Sequence, residues 1–207
     1  MSAEILGGFS SALAGAAAGF GLIMAIGAQN AFVIRQGLSK QHVLLVVLIC
    51  ALSDTALIVA GVAGLGAVIQ ALPWLLLVFK IFGAGYLAWF GFKSIRAAKK
   101  GEYLELTQGQ ATQSALKIAA SCLMFTWLNP HVYLDTVIFL GGLANQFQDH
   151  RWMFAIGASL ASWIWFSGLG FGAKAASKWM AKPSFWKALD TGIGVLMFVL
   201  AGVLLLQ

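Results

Sequence analysis

The sequence predicts an all-α membrane protein with six transmembrane helices, arranged as a 3+3 inverted repeat. Two facts of composition support the membrane class. Hydrophobic residues make up 60% of the 207 residues and charged residues 10%, against roughly 25% charged in an average soluble domain. So few charges cannot cover the surface of a soluble protein of this size, and such hydrophobicity also excludes a disordered chain. Lipid must therefore solvate most of the surface of this protein.

The third observation is that the apolar residues form six long runs. A hydrocarbon core about 30 Å thick needs roughly 20 apolar residues as a helix, and the runs lack the period-two alternation of barrel strands. We therefore expect the chain, 1–207, to be a single transmembrane domain. The runs are approximately Ile5–Ile34, Val43–Ile69, Pro73–Phe92, Ile118–Ala144, Trp152–Ala173 and Thr191–Gln207.

Eleven of the thirteen Lys and Arg residues lie in the first, third and fifth connections between the runs. Cytoplasmic loops carry an excess of Lys and Arg, so both termini are predicted to lie outside the cytoplasm. Because membrane topology accounts for the positive charge, nucleic acid is not expected as a partner. The other two cations are Arg151, in a connection on the opposite side, and Lys80, within the third run. The eleven are Arg35, Lys40, Lys93, Arg96, Lys99, Lys100, Lys117, Lys174, Lys178, Lys182 and Lys187.

The longest connection is polar and divides the chain into halves of about 1–95 and 114–207, joined by a cytoplasmic loop at 96–113. Each half holds three helices, and because three is odd, a duplicated unit must enter the membrane from opposite sides. Many secondary transporters have this inverted repeat, with the substrate site near the midplane between the halves. Glycines whose spacing indicates close helix packing are Gly15, Gly19, Gly168, Gly170 and Gly172.

Three ionisable residues lie inside apolar runs: Asp54, Lys80 and Asp135. Ionisable groups at membrane depth are costly and usually functional. If all three are ionised, the interior carries one surplus negative charge, which suits a cationic substrate or a proton. The alternative is that Lys80 pairs with one aspartate and only holds helices together.

A polar interruption in the fourth run supplies the second candidate feature. Asn129 followed by Pro130 is a good helix start, so this pair predicts a half-helix that begins in mid-membrane. Its first amides can bind an anion such as an amino-acid carboxylate. His131 and Asp135 follow at i, i+4 spacing and share a face. His131 can relay protons, or it can serve only as a hydrogen-bonding residue. A simple proline kink is the alternative interpretation.

The first run has a matching interruption at Gly27-Ala28-Gln29-Asn30. Two amide side chains beside a glycine can satisfy an unwound backbone within the membrane. Because interruptions occur in the first helix of both halves, we expect Gln29 and Asn30 to form one paired site with Asn129, near the midplane.

Other chemistry receives little support from the sequence. The three histidines have no metal-ligand spacing, and Cys50 and Cys122 are interpreted as small apolar fillers rather than a disulfide. No phosphate-binding Walker sequence is present, so neither direct ATP use, a metal nor another cofactor is expected. The N-terminus lacks the positive region of a signal peptide.

Three blocks resemble the lysine exporter (LysE) family of bacterial amino-acid exporters, and most of all its lysine/arginine branch. The blocks are Gly27–Ile34 with Gln36-Gly37, then Cys50–Asp54, and then Trp127–Asp135. Chain length, helix number and the central polar loop also agree, so the resemblance covers the whole chain. One departure is Ala28, which stands where the branch usually has proline.

The resemblance implies a transporter rather than an enzyme: an exporter of arginine and/or lysine across the bacterial inner membrane, driven by the proton motive force. Alternating access would expose a midplane site to each side in turn. Asp54 and Asp135 would bind the cationic side chain or exchange protons with it, while Asn30 and Asn129 would hold the carboxylate. A homodimer is a candidate assembly.

Two other functions remain open at this point. One is a divalent-cation exporter that uses the same two aspartates, since carboxylates suit hard cations. The other is a membrane thiol–disulfide carrier that uses Cys50 and Cys122. These cysteines do not occupy equivalent positions in the two halves, and neither has a second cysteine nearby to resolve a mixed disulfide.

Overall fold

The computed structural model describes residues 2–25, 27–100, 114–177 and 182–206, and the regular elements in these ranges are all helical, as predicted. Parts of the predicted loop 96–113, together with Lys178 and Gln207, lie outside the described residues. The elements are α1 (Ser2–Ile23), α2 (Ala28–Ser39), α3 (Val43–Ala60), a π-helical stretch (Gly61–Leu65), α4 (Gly66–Ala71), α5 (Pro73–Lys100), α6 (Ala115–Trp127), α7 (Pro130–Val132), a second π-helical stretch (Tyr133–Leu140), α8 (Gly141–Asn145), a 3-10 turn (Gln148–His150), α9 (Arg151–Ala176) and α10 (Pro183–Leu206).

Four described helical segments are long and apolar enough to cross a membrane, which makes this a multi-pass membrane protein. They fall in the first, second, fifth and sixth predicted runs. The apolar helix Ala115–Trp127, in the fourth run, is shorter. The four segments are Glu4–Ile23, Val43–Val68, Gln148–Ala176 and Ser184–Leu206.

Several helix boundaries differ from those of the apolar runs. The helix of the third run, α5, continues to Lys100 instead of ending at Phe92, because Ala, Lys and Arg are good helix formers and cations are favourable in a last turn. The helix of the sixth run, α10, begins at Pro183 instead of Thr191, since proline is well accommodated in a first turn. Hydropathy marks the part of a helix that lipid surrounds, and these two helices extend beyond it.

The interruptions predicted in the first and fourth runs are both present. The first run consists of α1 and α2, and the described residues between them, Met24, Ala25 and Gly27, are not helical. The fourth run breaks at Leu128 and Asn129, between α6 and α7. The helix of the second run is also irregular, with Gly64 at φ 102° inside its π-helical stretch. That left-handed conformation is readily available only to glycine.

Helices of one half pack against helices of the other half. α1 packs along α9, α5 along α10, and α3 against α6 and the second π-helical stretch. Glycines allow the closest contacts: a Cβ atom added at Gly15 would overlap the backbone of Phe154, and one at Gly61 would lie 2.6 Å from the carbonyl oxygen of Val137. The chain is therefore one interleaved bundle in which every long first-half helix has a second-half neighbour.

The glycines predicted to mediate packing divide into two groups. A Cβ at Gly19 would lie 3.0 Å from the oxygen of Ala158, and one at Gly170 would lie 2.8 Å from Val47, so both are close contacts. Around Gly168 and Gly172 nothing lies within 4 Å of such an atom. The packing interpretation is wrong for these last two positions, because their side of α9 faces away from the bundle.

Chain direction gives the bundle two distinguishable ends. Gly7 lies beside His150, and Gly37 beside Ala173, so α9 runs parallel to the path from α1 to α2. The end of α2 and the end of α9 thus share one side, which we call the loop side. The start of α1 and the turn before α9 share the other, which we call the terminal side.

Substituting Gly157 tests the α1–α9 contact. An added side chain would overlap the carbonyl of Ala12 and force the helices apart, at a cost of about 1–3 kcal/mol. We expect Gly157→Ala to lower the thermal unfolding temperature of the detergent-solubilised protein. The matched control is Gly168→Ala, in open space on the same helix, which should leave that temperature unchanged or raise it. Equal effects of the two changes would contradict the packing.

Candidate functional site

A cavity of about 300 Å³ lies between the two helix breaks. Both breaks border it, and so do side chains from α3, α5, α9 and α10. Six of the eight residues singled out in the sequence line it: Gln29, Asn30, Asp54, Asn129, His131 and Asp135. Pro130 is buried beside them, whereas Lys80 does not border the cavity.

Asn30 holds the break between α1 and α2 in shape. Its Nδ2 donates to the carbonyl oxygens of Ile23, at 3.0 Å, and Ala25, at 2.7 Å. Its Oδ1 accepts a hydrogen bond from the indole of Trp165 at 3.2 Å. Both amide protons are therefore used to satisfy carbonyl groups that have left the helix. The predicted part of Asn30 in supporting an unwound backbone is confirmed.

The beginning of α2 faces the cavity with unused hydrogen-bond donors. Gly27, its N-cap, provides no side-chain cap, and the first N–H groups of a helix lack partners within the helix. The Nε2 atom of Gln29 is buried and has no hydrogen-bond partner among the described residues; the Cys50 thiol, a weak acceptor, is nearby. This end of α2 therefore presents amide donors and the positive end of a helix dipole.

The second break has the predicted helix start. The Oδ1 of Asn129 accepts a hydrogen bond from the backbone N–H of His131 at 3.1 Å, and Pro130 follows as the first helical residue. The hydroxyl of Tyr133 donates to the carbonyl oxygen of Trp127 at 2.8 Å, which ties the two sides of the break together. The π-helical stretch that begins at Tyr133 then carries Asp135 to the cavity.

The two acidic side chains of the cavity have different surroundings. Asp54, on α3, is 4% exposed, and its Oδ2 accepts a hydrogen bond from the Ser162 hydroxyl at 2.8 Å. Asp135 is half-buried on the second π-helical stretch, which packs against α3. Within the described parts of the chain, neither carboxylate forms an ion pair with Lys, Arg or His. The cavity therefore contains two acidic groups that no Lys or Arg of the described residues neutralises, with His131 near Asp135.

Lys80 is half-buried on α5 and away from this cavity. Because Lys80 does not border the cavity, the charge count that placed it with the two aspartates does not describe the lining of this cavity. Among the residues that the structure describes, Lys80 pairs with neither aspartate, so the alternative of a structural ion pair is not supported either.

A buried ion pair joins α2 to α10 and was not expected from the sequence. The Nε of Arg35 lies 2.8 Å from the Oδ1 of Asp190, whose side chain is 2% exposed. Arg35 lies just after the first apolar run and Asp190 just before the sixth, so hydropathy marks neither as part of a helix. The underestimated lengths of the helices concealed the pair, and nothing in the local spacing indicates that these two residues meet.

An aromatic cluster separates the cavity from this ion pair. Its members are Phe32, Tyr86, Phe90 and Phe125, and the ring centroids of the other three lie 4.8–5.2 Å from that of Phe125. Tyr86 and Phe125 border the cavity. Along α2, the chain passes from the cavity residue Asn30 through this cluster to the ion pair. The cluster and the pair thus lie on the loop side of the cavity.

The two cysteines are in contact, although the sequence separates them widely. The Sγ atoms of Cys50 and Cys122 are 3.3 Å apart, both residues are completely buried, and both are free thiols. The expectation that neither cysteine has a second cysteine nearby is wrong, because the fold brings the two side chains into contact. Their burial agrees with apolar fillers, and it prevents an external thiolate from reaching either sulfur, as a thiol–disulfide carrier would require.

Comparison with known proteins identifies the family. Residues 20–207 match the model of the LysE type translocator family. The lysine exporter LysE of Corynebacterium diphtheriae is 35% identical over 227 aligned positions, covering 96% of this chain and 100% of the relative. The arginine exporter protein ArgO of Salmonella typhi is 40% identical over 190 residues, 90% of this chain and 89% of the relative. No solved structure matches the chain.

The chain therefore belongs to the LysE family of translocators. Membership confirms the resemblance carried by the three sequence blocks, and it classes the protein as a membrane transporter rather than an enzyme. The described residues also bring no three His, Cys, Asp or Glu side chains together in a metal-binding group, so no observation favours the divalent-cation alternative.

The Arg35–Asp190 pair can be tested with a double-mutant cycle. Removing one partner leaves the other charge buried and unpaired, at a cost of about 3–5 kcal/mol. We expect Arg35→Met and Asp190→Leu each to lower the thermal unfolding temperature strongly, and the double variant to be more stable than their summed effects imply. Lys117→Met, an exposed control, should change little. Additive effects in the double variant would show that the two residues are not coupled.

Proposed function

We propose that this protein is a secondary active exporter of the basic amino acids arginine and/or lysine across the bacterial inner membrane, coupled to proton entry. The observation that carries the proposal is the cavity between the helix breaks, whose lining combines amide groups with two carboxylates that have no Lys or Arg partner among the described residues. The names of the lysine and arginine exporters among the relatives support the same substrate class.

The cationic side chain of the substrate would bind at Asp54 and Asp135. A guanidinium or ammonium group brings the positive charge that these acidic groups lack within the protein. Charge-assisted hydrogen bonds are the strongest available in a water-poor site. After the amino acid leaves, a proton can occupy an aspartate in its place, so that the same groups serve binding and coupling.

The carboxylate of the substrate would bind at the beginning of α2. The first N–H groups of that helix and the Nε2 of Gln29 are the donors available there. Asn129 and His131 border the same space from the opposite break. Asn30, proposed from the sequence as a direct ligand, acts instead by fixing the break, since its amide protons are already donated.

The packing supports six membrane spans arranged as an inverted repeat of two halves. α5 has 28 residues and is about 42 Å long at 1.5 Å per residue, which exceeds the thickness of the hydrocarbon core. Exchanging the two halves would convert the α1–α9 contact into the contact of α3 with the fourth run, and would leave the α5–α10 contact in place. The observed neighbours follow this exchange.

Alternating access would then require the loop side to open. If the Lys- and Arg-rich loop side is cytoplasmic, the termini lie outside the cytoplasm, and the aromatic cluster with the Arg35–Asp190 pair forms the closed cytoplasmic barrier. Exporting a cation against the membrane potential costs about 2.3 kcal/mol per charge per 100 mV. Proton entry along its gradient can offset that cost.

Efflux of labelled arginine and lysine from reconstituted vesicles tests the proposal. The wild-type protein should transport at least one of them, faster when the pH gradient drives protons in the opposite direction. Asp54→Asn and Asp135→Asn should each reduce transport at least tenfold, because a neutral amide cannot pair with the cation or exchange a proton.

The matched control is Asp149→Asn, which makes the same change on an exposed turn and should transport normally. All variants must first be shown to insert in the membrane at wild-type levels. Unchanged efflux in both cavity variants would contradict the assignment of the site, and no wild-type transport of either amino acid would contradict the substrate class.

A further inference from the structure

The Ser162 hydroxyl is used differently from other helical hydroxyls in this protein. Ser and Thr inside helices commonly donate to the carbonyl four residues earlier. Thr55, Thr126 and Thr191 do so here, at 2.7, 3.2 and 2.7 Å. Ser162 instead donates across to the carboxylate of Asp54 at 2.8 Å. Its hydrogen bond is therefore made to the other half of the protein and not to its own helix.

This bond joins the two halves at the substrate cavity. Ser162 is completely buried on α9, and Asp54 is 4% exposed on α3. Two further donors on α9 contact the first half: the indole of Trp163 donates to the Thr55 hydroxyl at 3.2 Å, and that of Trp165 to Asn30. α9 therefore supplies hydrogen-bond donors to Asp54, Thr55 and Asn30 of the first half.

We propose that Ser162 is a positioning residue that orients the Asp54 carboxylate for its ligand and links the charge of that carboxylate to the contact between α3 and α9. This inference rests on the proposed function and adds a residue to it. Because Ser162 occupies Oδ2, Oδ1 is the oxygen left for the cationic group of the substrate or for a proton.

The charge of Asp54 determines how strongly the two helices are held. An ionised carboxylate accepts the Ser162 hydrogen bond as a charge-assisted bond, which is shorter and stronger than a neutral one. When a proton binds at Oδ1, that advantage is lost, and the hydroxyl can turn to the carbonyl of Ala158, four residues earlier, as other helical hydroxyls do. Proton binding thereby loosens the α3–α9 contact, and proton release restores it.

Transport kinetics separate positioning from simple packing. Ser162→Ala keeps nearly the same volume and removes only the hydroxyl, so a packing role predicts almost no effect. We expect this variant to raise the KM for arginine about tenfold or more, the effect of losing a hydrogen bond to a charged group, with a smaller change in kcat. Ser162→Thr, which keeps a hydroxyl, should restore the KM to within a few-fold of wild type.

The matched control for this change is Ser159→Ala. Ser159 lies on α9 but borders an outer groove instead of the cavity, so both its KM and kcat should remain those of the wild type. A wild-type KM in Ser162→Ala would overturn the inference, as would the same rise in KM for Ser162→Thr and Ser162→Ala.

A spectroscopic measurement tests the same contact without any substrate. Infrared difference spectra between acid and alkaline pH should contain a carbonyl band of protonated Asp54, identified by its loss in Asp54→Asn. Ser162→Ala should shift that band, and Ser162→Thr should shift it less. An unshifted band would refute the inference, whereas a shifted band in a protein that transports no basic amino acid would refute the proposed function and support the action of Ser162 on Asp54.

Discussion

A helix that breaks inside a membrane exposes backbone groups that lipid cannot satisfy, and the rest of this structure depends on how those groups are satisfied. At the first break, Asn30 donates to two freed carbonyls and is itself held by Trp165 on α9. At the second, Asn129 caps the new helix, and Tyr133 binds the carbonyl of Trp127. Each break is stabilised locally, so a polar cavity can exist between them.

The packing between the two halves determines which charged residues line that cavity and which residues border it on the loop side. Glycine contacts bring α1 onto α9 and the helix of the second run onto the fourth run, which places Asp54 and Asp135 at one cavity without a Lys or Arg partner among the described residues. The buried cation that does find a partner, Arg35, lies beyond the aromatic cluster on the loop side. The acidic groups are thus left for a ligand, while closure toward the loops depends on a separate charge pair.

The sequence predicted the parts of this site that depend on local chemistry. Glycine with amides at 27–30, and Asn129 before Pro130, marked both breaks, because turn and cap preferences act over a few residues. Properties that depend on side-chain direction or on contacts between distant helices were not predictable. Lys80 does not border the cavity, Cys50 meets Cys122, and Ser162 on α9 reaches Asp54 on α3. Nothing in the sequence around Ser162 distinguishes it from other serines in apolar runs.

A crystal structure of the protein with arginine bound tests the central claim most directly, since that claim concerns where the two ends of the substrate lie. The account predicts arginine in the cavity between the breaks, with its guanidinium group in hydrogen-bond contact with Asp54 or Asp135 and its carboxylate at the beginning of α2. Arginine bound outside this cavity, or bound in it with the guanidinium group contacting neither aspartate, would contradict the account.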